Sequence, residues 1–303
     1  MDRKAPQKGL RQNLLTVPVR PVLGLTMGDP AGIGPEIIAA SMADPERPSD
    51  CDFQLIGQAG GHLPGQPTPA SANAAMAALE EASHLLQSGQ IQAVVTGPVS
   101  KQGLGEAGFA FPGQTEFFAA RSGTKNFAMC LTGGALTVAL TTIHLPLREV
   151  ATTLRTKEII RVGRLLANFI ERRLQRPARV AVSGLNPHAG EGGQFGSEEE
   201  DIIRPAVEQL AKEGNFTGPW PPDTIFYRAA QGDFDAVLCM YHDQGLIPLK
   251  LLAFDTGVNV TLGLPYPRTS PDHGTAFDLA GSGKASHRSM LEAIRLASAM
   301  VPR

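Results

Sequence analysis

Three of the seven histidines share one setting. His144 (TTIHLPL), His188 (GLNPHAGE) and His242 (CMYHDQG) each follow an apolar, strand-like run, where the chain leaves a sheet. Ligands gather at the carboxyl ends of strands in open α/β sheets. Three imidazoles delivered to one edge would bind a divalent transition metal and leave positions for a substrate. Spacing alone leaves a second reading open, three unrelated histidines bonded to loop carbonyls, because the separations are long and no HxxxH helix exists. Carboxylates stand near these histidines: Asp243 beside His242, Asp223 in GPWPPDT and Glu191 after His188. Asp223 and Asp243 are candidate catalytic bases, and Asp223 serves equally well as a helix cap. His62 and His84 have no polar neighbours in sequence and read as surface residues.

A second group carries anion chemistry. Lys250 follows GLIPL, Asn259 lies in GVNVTLGLP and Arg268 in PYPRTSPDHG, all read as loop contexts. An ammonium, an amide and a guanidinium can together hold a phosphate. GDPAGIGPE at Gly28–Glu36 sets glycines before a helix start, which can receive an anion. It matches neither GxGxxG with a downstream acid nor GxxxxGK[ST]. GPVSK at Gly97–Lys101 is likewise an incomplete phosphate loop and reads as a tight turn.

The elements that must position these residues follow from short apolar runs alternating with longer helical stretches. Strands are expected at Pro21–Thr26, Phe53–Gly57, Ala93–Thr96, Arg179–Ser183 and Ala236–Tyr241, with two paired strands meeting at Gly133–Gly134. Helices are expected after Gly34, through Leu86, at Thr156–Arg173, at Glu198–Glu213 and at Ser289–Val301. Ala59–Ala72 is a Gly/Pro-rich loop. This alternation predicts an α/β fold.

Composition narrows the function classes. The 303 residues are 42% hydrophobic, enough for one large domain or two smaller ones. A net charge of −2 from 27 basic and 29 acidic residues, with no basic run, offers nothing to nucleic acid or an anionic membrane. Three scattered cysteines without CxxC spacing read as reduced thiols of a cytoplasmic protein. No apolar run approaches a membrane span, and the polar, basic opening reads as a flexible tail over residues 1–20.

Taken in order, GLTMGDPAGIGPEI, VTGPVSK, GQTEF, TIHLPL, GLNPHAGEGG, GPWPPDT, MYHDQGLIPLK, GVNVTLGLP and RTSPDHGTAFDLAGSGKA resemble the 4-hydroxythreonine-4-phosphate dehydrogenase family from Pro21 to Ala285. The resemblance implies a step of pyridoxal phosphate biosynthesis. In it 4-phosphohydroxy-L-threonine is oxidised with NAD, NADP being the alternative cofactor, and decarboxylates to 3-amino-2-oxopropyl phosphate. It implies a fold like the isocitrate and isopropylmalate dehydrogenases, two α/β domains with the active site in the cleft between them. The expected boundaries are residues 21–115 plus about 268–303 for the first domain and about 116–267 for the second, which would also dimerise. HGTAFDLAGSGKA looks like the adenosine loop of those enzymes and assigns His273, Gly274, Thr275, Asp278 and Gly281 to the cofactor.

Carried over by motif, His144, His188 and His242 are implied as ligands of a divalent metal (zinc, magnesium, manganese or cobalt), contributed by both chains of a homodimer. Gln114, Thr115, Lys250, Asn259 and Arg268 are implied to bind the phosphorylated substrate. The family commonly has histidine before Thr-Glu where this chain has Gln114. Its relatives oxidise phosphorylated sugar acids or dicarboxylate cis-dihydrodiols, so a paralogue acting on 4-phosphoerythronate or such a diol is the alternative enzyme. From another class, the alternative is an inert nucleotide- or metal-binding module.

Overall fold

Residues 20–58 and 60–302 are described by the structure, a computed structural model. The expected tail therefore lies outside the described residues except for Arg20. The first stretch runs β1 (Val22–Thr26), α1 (Gly34–Ala43), β2 (Asp52–Ile56), α2 (Pro69–Gln87), β3 (Ala93–Thr96), α3 (Lys101–Glu106) and α4 (Gln114–Arg121). It continues with β4 (Ala128–Gly133), β5 (Leu136–Leu140), α5 (Leu147–Thr153), α6 (Thr156–Leu174), β6 (Arg179–Ser183), α7 (Arg204–Leu210), β7 (Asn215–Trp220), α8 (Ile225–Ala230) and β8 (Ala236–Cys239). The chain closes with α9 (His242–Ala253), β9 (Val258–Leu262), β10 (Arg268–Pro271) and α10 (Arg288–Met300).

One sheet carries all these strands, in the order β2-β1-β3-β10-β9-β4-β5-β8-β6-β7. Two parallel blocks, β2-β1-β3-β10 and β5-β8-β6-β7, are joined through β9 and β4, which run antiparallel to each other and to their outer neighbours. Helices cover the parallel blocks, so β3 (AVVT) and β8 (AVLC) are buried at every position and read as continuous apolar runs instead of alternating ones.

The helices form for local reasons. At α2, Thr68 and Ser71 make a reciprocal capping box, with Pro69 in the first turn. In α6, the buried Ile159, Val162, Leu166, Phe169 and Ile170 recur at helical spacing and form one apolar stripe. Gly163 lets α7 approach closely, since a Cβ there would lie 2.8 Å from Leu210 Cδ1.

Two expectations are corrected. The single helix expected over Glu198–Glu213 opens with a wide π turn at Glu199–Ile203 before α7 begins at Arg204. Pro205 has no N–H to close an ordinary turn there. The stretch read as loops around Lys250, Asn259 and Arg268 is regular: these residues sit in α9, β9 and β10. Its apolar runs are short and broken by Pro248, Gly257 and Pro265, which hides their periodicity.

Candidate active site

Beside the seam between β10 and β9 a cleft of about 310 Å³ opens. Its walls come from the end of β3 (Thr96, Gly97), the start of α3 (Lys101), the start of α4 (Gln114, Thr115, Glu116), Met129 of β4, Ile143 and His144 beyond β5, Asn259 of β9, Arg268, and Ser270 to Gly274. An aromatic cluster fixes the α4 wall. Phe111 packs edge-on against Phe117 (5.5 Å between centroids), which packs edge-on against Phe118 (5.1 Å). Both α4 rings are fully buried, each contributing about 1.5–3 kcal/mol of burial, so the polar start of α4 is held by a rigid base.

Arg268 is the cleft's buried cation, only 3% exposed. Its guanidinium donates to Thr96 Oγ1 (2.7 Å), Gln114 Oε1 (3.1 Å) and Thr261 Oγ1 (3.3 Å), while its Nε has no partner. Every acceptor is neutral. Burial pulls the guanidinium pKa down to about 10, partly offset by the charge of Glu116. It stays charged at neutral pH without a paired carboxylate, and such a charge invites an anionic ligand. Gln114 is tied to the frame through Nε2, which donates to the Gly97 carbonyl at 3.2 Å. Thr115 Oγ1 lies 3.4 Å from Thr261 Oγ1. The amide oxygen of Asn259 is buried with no partner. Rotation of that amide would offer an N–H donor at the same place.

Of the expected metal ligands, two are brought together. The rings of His144 and His242 lie 5.5 Å apart between centroids. Burial, then the charges of Lys101 and His242, hold His144 toward its neutral, ligand-competent form, against Glu116. His242 Nδ1 lies 2.7 Å from Asp243 Oδ1, a contact that fixes the ring and leaves Nε2 free to ligate. His188 stands apart, near Phe195 at 6.1 Å. It belongs to a run of left-handed residues, His188 to Gly192. The buried carboxylate of Glu199 anchors the chain just before that run, accepting from Leu185 N, Asn186 N and Asn186 Nδ2 at 2.7–2.9 Å. Among the described residues of one chain, no group of three or more His, Cys, Asp or Glu side chains is placed to hold a metal ion.

The remaining expected site residues divide. Asp223 is exposed just before α8 and makes no cap bond there, so the capping alternative is not realised; nor does it line the cleft. Lys250 is engaged by Asp272 at 2.9 Å instead of lining the cleft. The segment from His273 to Gly281 packs against the start of α1: Ile33 N donates to Thr275 O, and Gly281 N to Glu36 Oε2. Two buried polar atoms here have no partner, His273 Nε2 and Glu36 Oε1. Sequence reasoning missed Thr96, Thr261, Lys101 and Glu116. The first two are ordinary strand threonines, and only the pairing of β3, β10 and β9 turns them toward Arg268.

Known proteins match this chain closely. The sequence profile described as "Pyridoxal phosphate biosynthetic protein PdxA" matches residues 35–297. A 4-hydroxythreonine-4-phosphate dehydrogenase of Desulfosudis oleivorans is 45% identical over 322 residues, covering 92% of this chain and 95% of that protein. The crystal structure of 4-hydroxythreonine-4-phosphate dehydrogenase from Klebsiella pneumoniae superposes with a TM-score of 0.80 at 38% identity, covering 92% of this chain and 99% of that one. At 16% identity and a TM-score of 0.50, isocitrate dehydrogenase from Methylococcus capsulatus shares the fold alone, covering 90% and 83%.

Proposed function

We propose, from the premise that this chain belongs to the PdxA family of pyridoxal phosphate biosynthetic proteins, that its cleft oxidises and decarboxylates 4-phosphohydroxy-L-threonine. Family membership makes it an oxidoreductase of pyridoxal phosphate biosynthesis, with a nicotinamide cofactor and a metal in general. The observation that carries the substrate reading is Arg268, a buried guanidinium with only neutral partners at the inner wall of the cleft. It fits the phosphate, with Thr115, Gln114 and Asn259 completing the cradle.

The residues present fit a metal and a dinucleotide in part. His144 and His242 supply two adjacent imidazoles, and Asp243 orients one of them. We assign His188 of a second copy as the third ligand, in a homodimer. An apolar face on α9 supports this pairing: Ile247, Leu251 and Leu252 on the helix that begins at His242, with Phe254 just past its end, are 54–83% exposed. The orphaned His273 Nε2 and Glu36 Oε1 beside the Thr275–Gly281 segment support a dinucleotide there, NAD in preference to NADP because Glu36 would oppose a 2′-phosphate. A dinucleotide held there would supply a two-electron acceptor for the alcohol, and a divalent ion held by the histidines would supply Lewis acidity toward the substrate oxygens.

The chain's own residues then bind and orient. Arg268, Gln114 and Thr115 hold the phosphate away from the reacting carbon, so binding energy there fixes the alcohol's orientation. Asp243 is the candidate to keep the His242 ring aligned, and Asp223 remains a candidate base only from a second copy. We read the β10–β9 seam as the boundary between two α/β lobes. No described helix is long and apolar enough to cross a membrane; with three buried free cysteines, we place the protein in the cytoplasm.

The deciding experiment incubates purified protein, divalent metal and NAD with 4-phosphohydroxy-L-threonine or 4-phosphoerythronate and follows NADH. Faster turnover of the amino acid is expected. A preference for the erythronate would assign the chain to the paralogue instead.

A further inference from the structure

We propose that Lys101 binds the substrate carboxylate that departs as CO2. The inference rests on the substrate reading above. Lys101 belongs to GPVSK, a segment read from sequence as a turn, and opens α3 at the cleft wall, where Ser100 caps the helix by accepting from Gly103 N.

Two Lys or Arg side chains line the cleft, Arg268 and Lys101. The other cation nearby, Lys250, is already neutralised by Asp272. The substrate presents two anions, a phosphate and a carboxylate. Arg268 has the buried planar fork and hydroxyl neighbours suited to the phosphate. That leaves the carboxylate for Lys101, an exposed point charge on a flexible stem. The Lys101 ammonium makes no hydrogen bond or ion pair among the described residues, so no carboxylate of the protein must be displaced. Lys101 and His144, whose ring lies 5.5 Å from that of His242, line the same cleft. The cation therefore shares that cleft with the paired histidines. Once the C–C bond breaks and CO2 leaves with its charge gone, Lys101 loses its partner while Arg268 keeps the phosphate. Product is then held at one end only.

Calorimetry without NAD tests this with two ligands, 4-phosphohydroxy-L-threonine and 3-amino-2-hydroxypropyl phosphate, which carries hydrogen in place of the carboxylate. Lys101→Met should weaken the first at least tenfold and the second less than twofold; Lys101→Arg should recover part of the loss. Arg268→Met should weaken both. Equal weakening of the two ligands by Lys101→Met would put Lys101 on the phosphate or in the frame and overturn the proposal, as would unchanged affinity for the amino acid. NADH formation by the wild type is measured alongside. Its absence would overturn the proposed function, with the calorimetry still deciding Lys101, whereas a wild type that binds neither ligand overturns both.

Discussion

Replacing Arg268 with methionine should separate stability from function, with opposite signs. The guanidinium is 3% exposed and its pKa is pulled from the ordinary guanidinium value down to about 10, chiefly by burial. At 1.36 kcal/mol per tenfold change in proton affinity, the folded protein holds about 3 kcal/mol against the charged form. The sign is that of a cation whose folded pKa is depressed. Below about pH 10 it is charged in both states and the cost is constant; the cost is relieved only as pH rises above about 10 toward the ordinary guanidinium range. Methionine removes that cost and fills similar space. Against it stand the acceptors left behind. Thr261 keeps Thr115 as a neighbour and Gln114 keeps Gly97 O, but Thr96, fully buried, loses its partner, at about 1–3 kcal/mol. The ligand-free variant should therefore unfold within about 1 kcal/mol of the wild type, or slightly later. Turnover should behave otherwise, with kcat/KM for the phosphorylated substrate falling by about 2–4 kcal/mol, roughly 30- to 1,000-fold. Denaturant melts with and without inorganic phosphate, beside steady-state kinetics, read both. Phosphate should stabilise the wild type and leave the variant unchanged. A loss of more than about 2 kcal/mol in ligand-free Arg268→Met, or a phosphate response that survives the substitution, would refute the reasoning.

Gln114 bridges Arg268 to Gly97 O through a neutral amide, so Gln114→His should change kcat/KM less than about tenfold, roughly 1.4 kcal/mol. Gln114→Ala, which drops both bonds, should cost more; a large rescue by histidine would mean that this chain has a different natural substrate. Leu251→Asp on the exposed face of α9 should shift the protein toward monomer in sedimentation and lower its metal content, as His188→Ala should lower metal without unfolding; an intact dimer with full metal after Leu251→Asp contradicts the shared site. EDTA should abolish turnover, and zinc, manganese, cobalt or magnesium should restore part of it. Burial raises the Asp235 pKa, but hydrogen bonds from Arg176 (2.7 Å), Arg179 (2.9 Å) and the Arg179 N–H outweigh it and hold the carboxyl well below its usual 3.8. Its contribution is complete above 3.8 and lost as pH falls toward the folded value, so Asp235→Asn should cost about 1–3 kcal/mol at neutral pH and flatten the acid limb of a stability profile.

Much of the frame was legible in sequence because its signals are local. The apolar runs of β1, β3, β6 and β8 and the stripe of α6 carry their own periodicity, and Gly133 beside Gly134 marks the β4–β5 turn. The edge of each parallel run, where His144 and His242 sit, follows from the same signal. Other features depend on partners far along the chain. The anion cradle is set by Thr96 on β3 and Thr261 on β9 meeting Arg268 on β10, and no window of sequence contains all three. Asn259 and Arg268 looked like loop residues because their strands are short and flanked by Gly and Pro, and tertiary pairing completes them. His188 illustrates a different boundary. Its strand-end context is real, yet it opens a run of five left-handed residues and forms no three-ligand group with the other two histidines of its own chain, an arrangement that strand-end context does not encode.

The order of the sheet also bears on how the chain is made. β10 pairs with β3 inside the first block, and α10 packs on β10, β3 and α1, yet these closing elements are synthesised some 170 residues after β3. Until they emerge, β3 is an open edge of the first block, and the nascent chain has no Arg268, the cleft's buried cation. Folding of the first block must wait for the last segment, a long-range closure that slows assembly and leaves an edge strand exposed to other chains. Ligand competence is thus acquired in a single late step, and a nascent chain arrested before β10 would expose the template for aggregation without any ability to bind substrate.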